Sequence, residues 1–78
     1  MLLYPNPARD EIRIRMKENL HSGSVEVFNM MGQVVLKSDI KQKNEISLPL
    51  QGLPNGVYIV KISSGDQVMR ASFVISRN

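Results

Sequence analysis

Tyr4-Pro5-Asn6-Pro7-Ala8-Arg9-Asp10-Glu11-Ile12-Arg13-Ile14-Arg15-Met16-Lys17 is the stretch that decides the fold class of this 78-residue chain. The prolines at 5 and 7 fix φ at two positions and remove two backbone donors, so the segment is neither helix nor central strand. From Glu11 onward the residues alternate, with Ile12, Ile14 and Met16 on one side and Glu11, Arg13 and Arg15 on the other. A period of two belongs to a half-buried strand. A rigid lead-in feeding such a strand predicts a compact β domain.

The same grammar runs outward to the C-terminus. Leu2-Leu3-Tyr4 forms a short opening strand. After the polar turn region 19–24, Val25 to Asn29 is a strand with Val25 and Val27 on one face and Glu26 and Phe28 on the other. Asn29-Met30-Met31-Gly32 suits a type I turn closed by a left-handed glycine, so Gln33 to Ser38 returns antiparallel. Residues 39–44 read as a charged connection, and Glu45 to Leu48 as a strand stopped by Pro49. The loop 50–56 launches the strongest strand, Val57 to Ser63, with Tyr58, Val60 and Ile62 on one face. Ser64-Gly65-Asp66 turns into a last strand, Gln67 to about Ser76, through Val68, Ala71, Phe73 and Ile75. About seven short strands at regular spacing, with no 3.6-residue apolar stripe, predict an all-β, immunoglobulin-like antiparallel sandwich. Leu53-Pro54-Asn55-Gly56-Val57-Tyr58 reads as the corner where a tyrosine hydroxyl bonds back to upstream backbone.

Composition limits the function. Residues 1–78 make one small domain, which buries only roughly 60–65% of its extended-chain surface and has little material for a deep cleft. With 42% hydrophobic and 22% charged residues the chain is an ordinary globular one, and without cysteine it has neither disulfides nor thiolate metal sites. Met1-Leu2-Leu3 is no signal peptide, and the abrupt start reads as a piece excised from a larger exported protein. The formal charge of +3 is a mild basic bias. Arg13, Arg15 and Lys17 share a strand face, while Lys37, Lys41 and Lys43 surround a turn; both read first as solvated faces that protect edges, and second as attraction to an anionic surface.

No catalytic constellation appears. His21 is a lone turn histidine, and a nucleophilic triad needs a histidine held beside its serine by a third group. Asp10 and Glu11 are consecutive and face opposite sides in a strand; Asp39 and Asp66 are isolated turn residues. Scattered oxygens leave only a calcium site built from separate loops as a minor alternative. No cofactor fingerprint is present. Four aromatics, at least one of them core, do not interleave with the basic residues as nucleic-acid stacking requires. Met30-Met31 at a hairpin tip either lean on the core edge or offer an adaptable contact.

Three phrases in order carry a family resemblance: Tyr4-Pro5-Asn6-Pro7-Ala8; Val25-Glu26-Val27-Phe28-Asn29-Met30-Met31-Gly32-Gln33-Val34-Val35; and Leu53-Pro54-Asn55-Gly56-Val57-Tyr58-Ile59-Val60-Lys61-Ile62. With an apolar final strand, Phe73-Val74-Ile75, the chain resembles the C-terminal sorting domain of proteins exported by the type IX secretion system of Gram-negative bacteria. Pro5, Asn6, Pro7, Asn29, Gly32, Gly56, Tyr58, Phe73, Val74 and Ile75 are the motif positions. Gln33 departs from the family's basic residue after the turn glycine, and Ser72 from its lysine before the last triplet; Arg70 and Arg77 offer charge nearby.

The resemblance implies an address tag without catalysis or cofactor, in the periplasm in transit and then at the cell surface or outside the cell. Its implied partners are an upstream cargo domain, the outer-membrane translocon and a sortase-like peptidase that cuts upstream of the tag. The last strand is expected to be a sheet edge that docks by adding to a partner's sheet, with the Gly32 hairpin beside it, and an edge-paired dimer is compatible with that. An immunoglobulin- or fibronectin-like adhesion or carbohydrate-binding module is the alternative on the same fold.

Overall fold

The computed structural model describes residues 1–77, without the side chains of 18–21 and 41–43. It contains β1 (Leu2–Tyr4), β2 (Glu11–Phe28), β3 (Val34–Pro49), β4 (Gly56–Ser64) and β5 (Gln67–Ile75). All strand pairings are antiparallel. The first half of β2 pairs with β1 and with the end of β3, making a three-stranded layer. The second half of β2 lies between the start of β3 and β4, and β4 pairs onward with β5, making a four-stranded layer. These seven strand segments in two layers are the expected β-sandwich.

Two expectations change. The polar turn at 19–24 and the charged connection at 39–44 are instead strand, because β2 and β3 stay paired as one ribbon from one layer into the other. The pairing register shifts between Arg15 and Leu20. Such an irregularity bends and twists a ribbon without ending it, so polar residues at a crossing look like a loop in sequence. The solvated turn histidine expected at His21, and the side chains of Lys41 and Lys43, lie outside the described residues. Gly23 sits where β2 crosses β4 closely: a Cβ there would stand 2.5 Å from the Ser63 carbonyl oxygen.

The inner faces of the layers meet in one core. Ile12, Ile14, Met16, Ile46 and Leu48 come from the three-stranded layer; Val25, Val27, Ile40, Tyr58, Val60, Ile62, Phe73 and Ile75 come from the other. Ala8 and Leu50 plug the end. The alternations in β2 and β4 match the sequence reading. In β5 the inward set is Met69, Ala71, Phe73 and Ile75, and Val68 is exposed. Once Phe73 and Ile75 point inward, a period of two sends every even-numbered residue outward.

On the outer face of the three-stranded layer, Arg13 pairs with Glu11 at 2.8 Å and Arg15 with Glu45 at 3.5 Å. The Tyr4 hydroxyl also donates to Glu45, and the Arg15 guanidinium lies 5.9 Å from the centre of the Tyr4 ring. The two arginines thus cover a solvated strand face, as the bland reading of that run expected.

Candidate functional site

The motif residues converge on the four-stranded layer, mostly at one end. Asn29 begins the β2–β3 hairpin, where its Oδ1 accepts from the Met31 N–H at 2.9 Å and the Gln33 N–H at 3.0 Å. The Gly32 N–H donates to the Asn29 carbonyl at 3.0 Å, and Gly32 has φ of 84°. This is the predicted turn: a type I bend whose next residue must be left-handed. It holds Met30 and Met31 out in solvent, 67% and 82% exposed, so they do not lean on the core.

The predicted corner also forms. The Tyr58 hydroxyl donates to the Pro54 carbonyl at 2.6 Å, and its ring stacks on Phe73 with centroids 5.8 Å apart. Gly56 lies opposite Ile75, Val57 opposite Val74 and Tyr58 opposite Phe73 in the β4–β5 ladder. The third phrase and the apolar triplet are therefore neighbouring stretches of one sheet.

The opening motif reaches the same place. Asn6 Oδ1 accepts from the Val74 N–H at 3.1 Å. The Ala8 N–H donates to the Val74 carbonyl at 2.7 Å, and the Ser76 N–H to the Ala8 carbonyl at 2.9 Å. Pro5 and Pro7, each preceded by a cis peptide bond, fix φ on either side of Asn6. The expected sheet edge at β5 is therefore half closed. The segment 6–8 covers its C-terminal end, and no strand pairs with the remainder among the described residues. Backbone groups alternate sides along a strand. Since those of Val74 face segment 6–8, those of Ser72, Arg70 and Val68 face the open part of the same edge.

Sequence reading missed the clamp that follows β5. The Arg77 guanidinium donates to the Leu53 carbonyl at 2.5 Å and the Leu50 carbonyl at 2.9 Å, and lies 3.4 Å from Asp10. Its backbone N–H and C=O pair with the Asn55 side chain, each at 3.0 Å. A basic residue after an apolar strand is too common a pattern to flag this. Ala8, fully buried, was equally silent.

Chemically this end of the molecule holds and presents; among the described residues it groups no nucleophile with a base. No cluster of three or more metal-ligating side chains occurs among the described residues. Among the described residues the titrations that shift belong to the opposite layer. The Tyr4 hydroxyl, with help from Arg15, holds the Glu45 carboxyl below its ordinary value. The Arg13 guanidinium, followed by the Ser47 hydroxyl, does the same for Glu11. A shallow groove of about 400 Å³ lies on the outer face of the four-stranded layer, between the hairpin and Arg70, and includes Phe28, Ile59 and Lys61.

Comparison with known proteins matches residues 2–76 to a family described as the secretion system C-terminal sorting domain. Beta-agarase A of Zobellia galactanivorans is 30% identical over 61 residues, which is 78% of this chain and 11% of that protein. The chain thus spans about a tenth of the length of that relative.

Proposed function

The chain belongs to the secretion system C-terminal sorting domain family, and from that membership we propose that it is the address that takes an attached cargo through the type IX secretion system. The observation that carries this reading is the family match over residues 2–76, with the three motif phrases folded together. The 11% share of the agarase spanned by the match fits a small tag on a much larger cargo. Recognition belongs to the outer-membrane translocon, and removal to a sortase-like peptidase acting upstream of the domain. The cargo then reaches the cell surface or the medium. β1, paired with β2, is the strand at which the upstream chain joins the tag.

Docking uses the open part of the β5 edge. Val68, Arg70 and Ser72 offer backbone donors and acceptors there, which a partner strand satisfies by extending the sheet. Two copies paired antiparallel about Arg70 would set like charges opposite each other, which is unfavourable, so a foreign strand suits this edge better than a second copy. A sugar-binding reading lacks its usual platform: Tyr58 and Phe73 are buried, and Tyr4 and Phe28 are half-buried.

The test is a fluorescent reporter fused to residues 1–78 behind a signal peptide in a type IX-competent host. Export supports the proposal, and retention in the periplasm overturns it. Deleting residues 72–78 is a poor probe of docking, because it removes the buried Phe73 and Ile75 and unfolds the domain. Ser72→Pro is cleaner, since its lost N–H faces the open edge and proline is tolerated there. Unchanged melting with lost export supports edge docking; unchanged export of Ser72→Pro refutes it.

A further inference from the structure

The outer face of the four-stranded layer is ordered by register into rows that no part of the described chain covers. One row runs across all four strands as Val34, Phe28, Ile59 and Ser72, and Val57 and Val74 lie beyond it toward the hairpin end. Val34, Val57 and Val74 are exposed, and Phe28 and Ile59 are half-buried. The next row on the same face, two residues along β2, β4 and β5 and three along β3 where the register shifts, is Lys37, Glu26, Lys61 and Arg70. Among the described residues none of these four is in an ion pair. Among the described residues the cations therefore stand beside an apolar strip outside any salt bridge, with Glu26 the one acid in their row, and the groove lies over the junction between Phe28–Ile59 and Lys61–Arg70.

Taking the export reading above as given, we propose that this face binds an extended segment of a partner protein with an apolar side chain and a carboxylate two residues apart. Residues i and i+2 of a strand share a face and lie roughly 7 Å apart, which is also the spacing of the two rows. Laid along β4, such a segment puts its apolar side chain over Phe28 and Ile59 and its carboxylate over Lys61 and Arg70. Met30, projecting beside the groove, adapts to the incoming side chain. An anionic lipid surface fits less well. Glu26 stands in the middle of the basic row, and a flat array of phosphates would meet it along with the cations. A peptide places a single negative charge where the cations are and leaves Glu26 clear. The partner thus contacts a face of the layer, separate from the backbone edge of β5.

The probe is a short capped peptide repeating Leu-Thr-Glu-Thr, titrated into the isotope-labelled chain and followed by amide NMR. Shifts concentrated at Phe28, Ile59, Lys61 and Arg70, weakening as salt is raised, are expected. The Lys61→Met/Arg70→Met chain should bind roughly tenfold more weakly, as the loss of two partly desolvated charge contacts implies, and Lys61→Glu/Arg70→Glu, which adds repulsion, more weakly still. Equal shifts from the Leu-Thr-Lys-Thr peptide overturn the proposal, as does an equal response to phosphatidylglycerol vesicles alone. In the reporter fusion, either double variant should be exported poorly while melting like the parent. Normal export of both, with normal peptide binding, overturns the proposal. Retention of the unaltered fusion instead overturns the export reading, and the peptide titration then decides on this face by itself.

Discussion

Replacing Tyr58 by phenylalanine deletes one oxygen atom and tests the corner between loop 50–55 and β4. The hydroxyl makes a 2.6 Å bond to the Pro54 carbonyl, while the ring is 4% exposed and stacks on Phe73. Phenylalanine keeps the ring, so only the hydrogen bond is lost. A neutral hydrogen bond contributes about 0.5–1.5 kcal/mol net, and a buried acceptor left unsatisfied adds to that. Pro54 itself is exposed, so water takes over its carbonyl and the cost stays near about 1 kcal/mol. A domain of this size holds roughly 4–12 kcal/mol in all, and a loss of about 1 kcal/mol lowers its Tm by roughly 4–8 °C. Tyr58→Ala also deletes the packed ring and should cost about 3–5 kcal/mol, close to unfolding. Thermal and urea denaturation of the parent and both variants measure the series. A Tyr58→Phe shift below about 2 °C, with Tyr58→Ala severely destabilised, would show that the ring matters and the corner bond does not.

The two informative glycines should rank by cause. Gly23→Ala forces a Cβ onto the Ser63 carbonyl and should cost about 2 kcal/mol or more, whereas Gly32→Ala meets open space and costs only about 1 kcal/mol of backbone strain at positive φ; urea denaturation reporting the reverse order would contradict the close β2–β4 crossing. Glu45 has a folded-state pKa below its unfolded value, so its contribution is present above the unfolded value and fades as pH falls through the folded one. Stability measured from neutral pH downward should hold steady to near pH 4.5 and then decline, less steeply in Glu45→Gln. Arg77→Met keeps much of the stem but loses the donors to Leu50 and Leu53; it should cost about 1–2 kcal/mol and speed hydrogen exchange at the end of β5, and unaltered exchange there would argue against the clamp.

Much of the candidate site is legible in the sequence because its determinants are local. Asn29 and Gly32 are three residues apart, and the turn they make depends on one side chain and one permissive φ. Tyr58 and Pro54 are four residues apart, and their bond follows from the loop between them. Contacts across large separations left weaker traces. The β2–β3 ribbon keeps its pairing through polar residues because a neighbouring strand, and not local propensity, satisfies its backbone. Val68 is apolar yet exposed, because Phe73 and Ile75 fix which face of β5 turns inward.

The sequence by itself determined the strand alternations, the hairpin turn, the tyrosine corner and the family. Each rests on residues a few positions apart or on motif order. Tertiary structure decided that segment 6–8 closes half of the β5 edge, that Arg77 fastens the end of the chain to loop 50–55, and that Lys37, Glu26, Lys61 and Arg70 form one row beside an apolar strip. Those arrangements join residues from distant parts of the chain, and only strand register, fixed by burial of the shared core, brings them together.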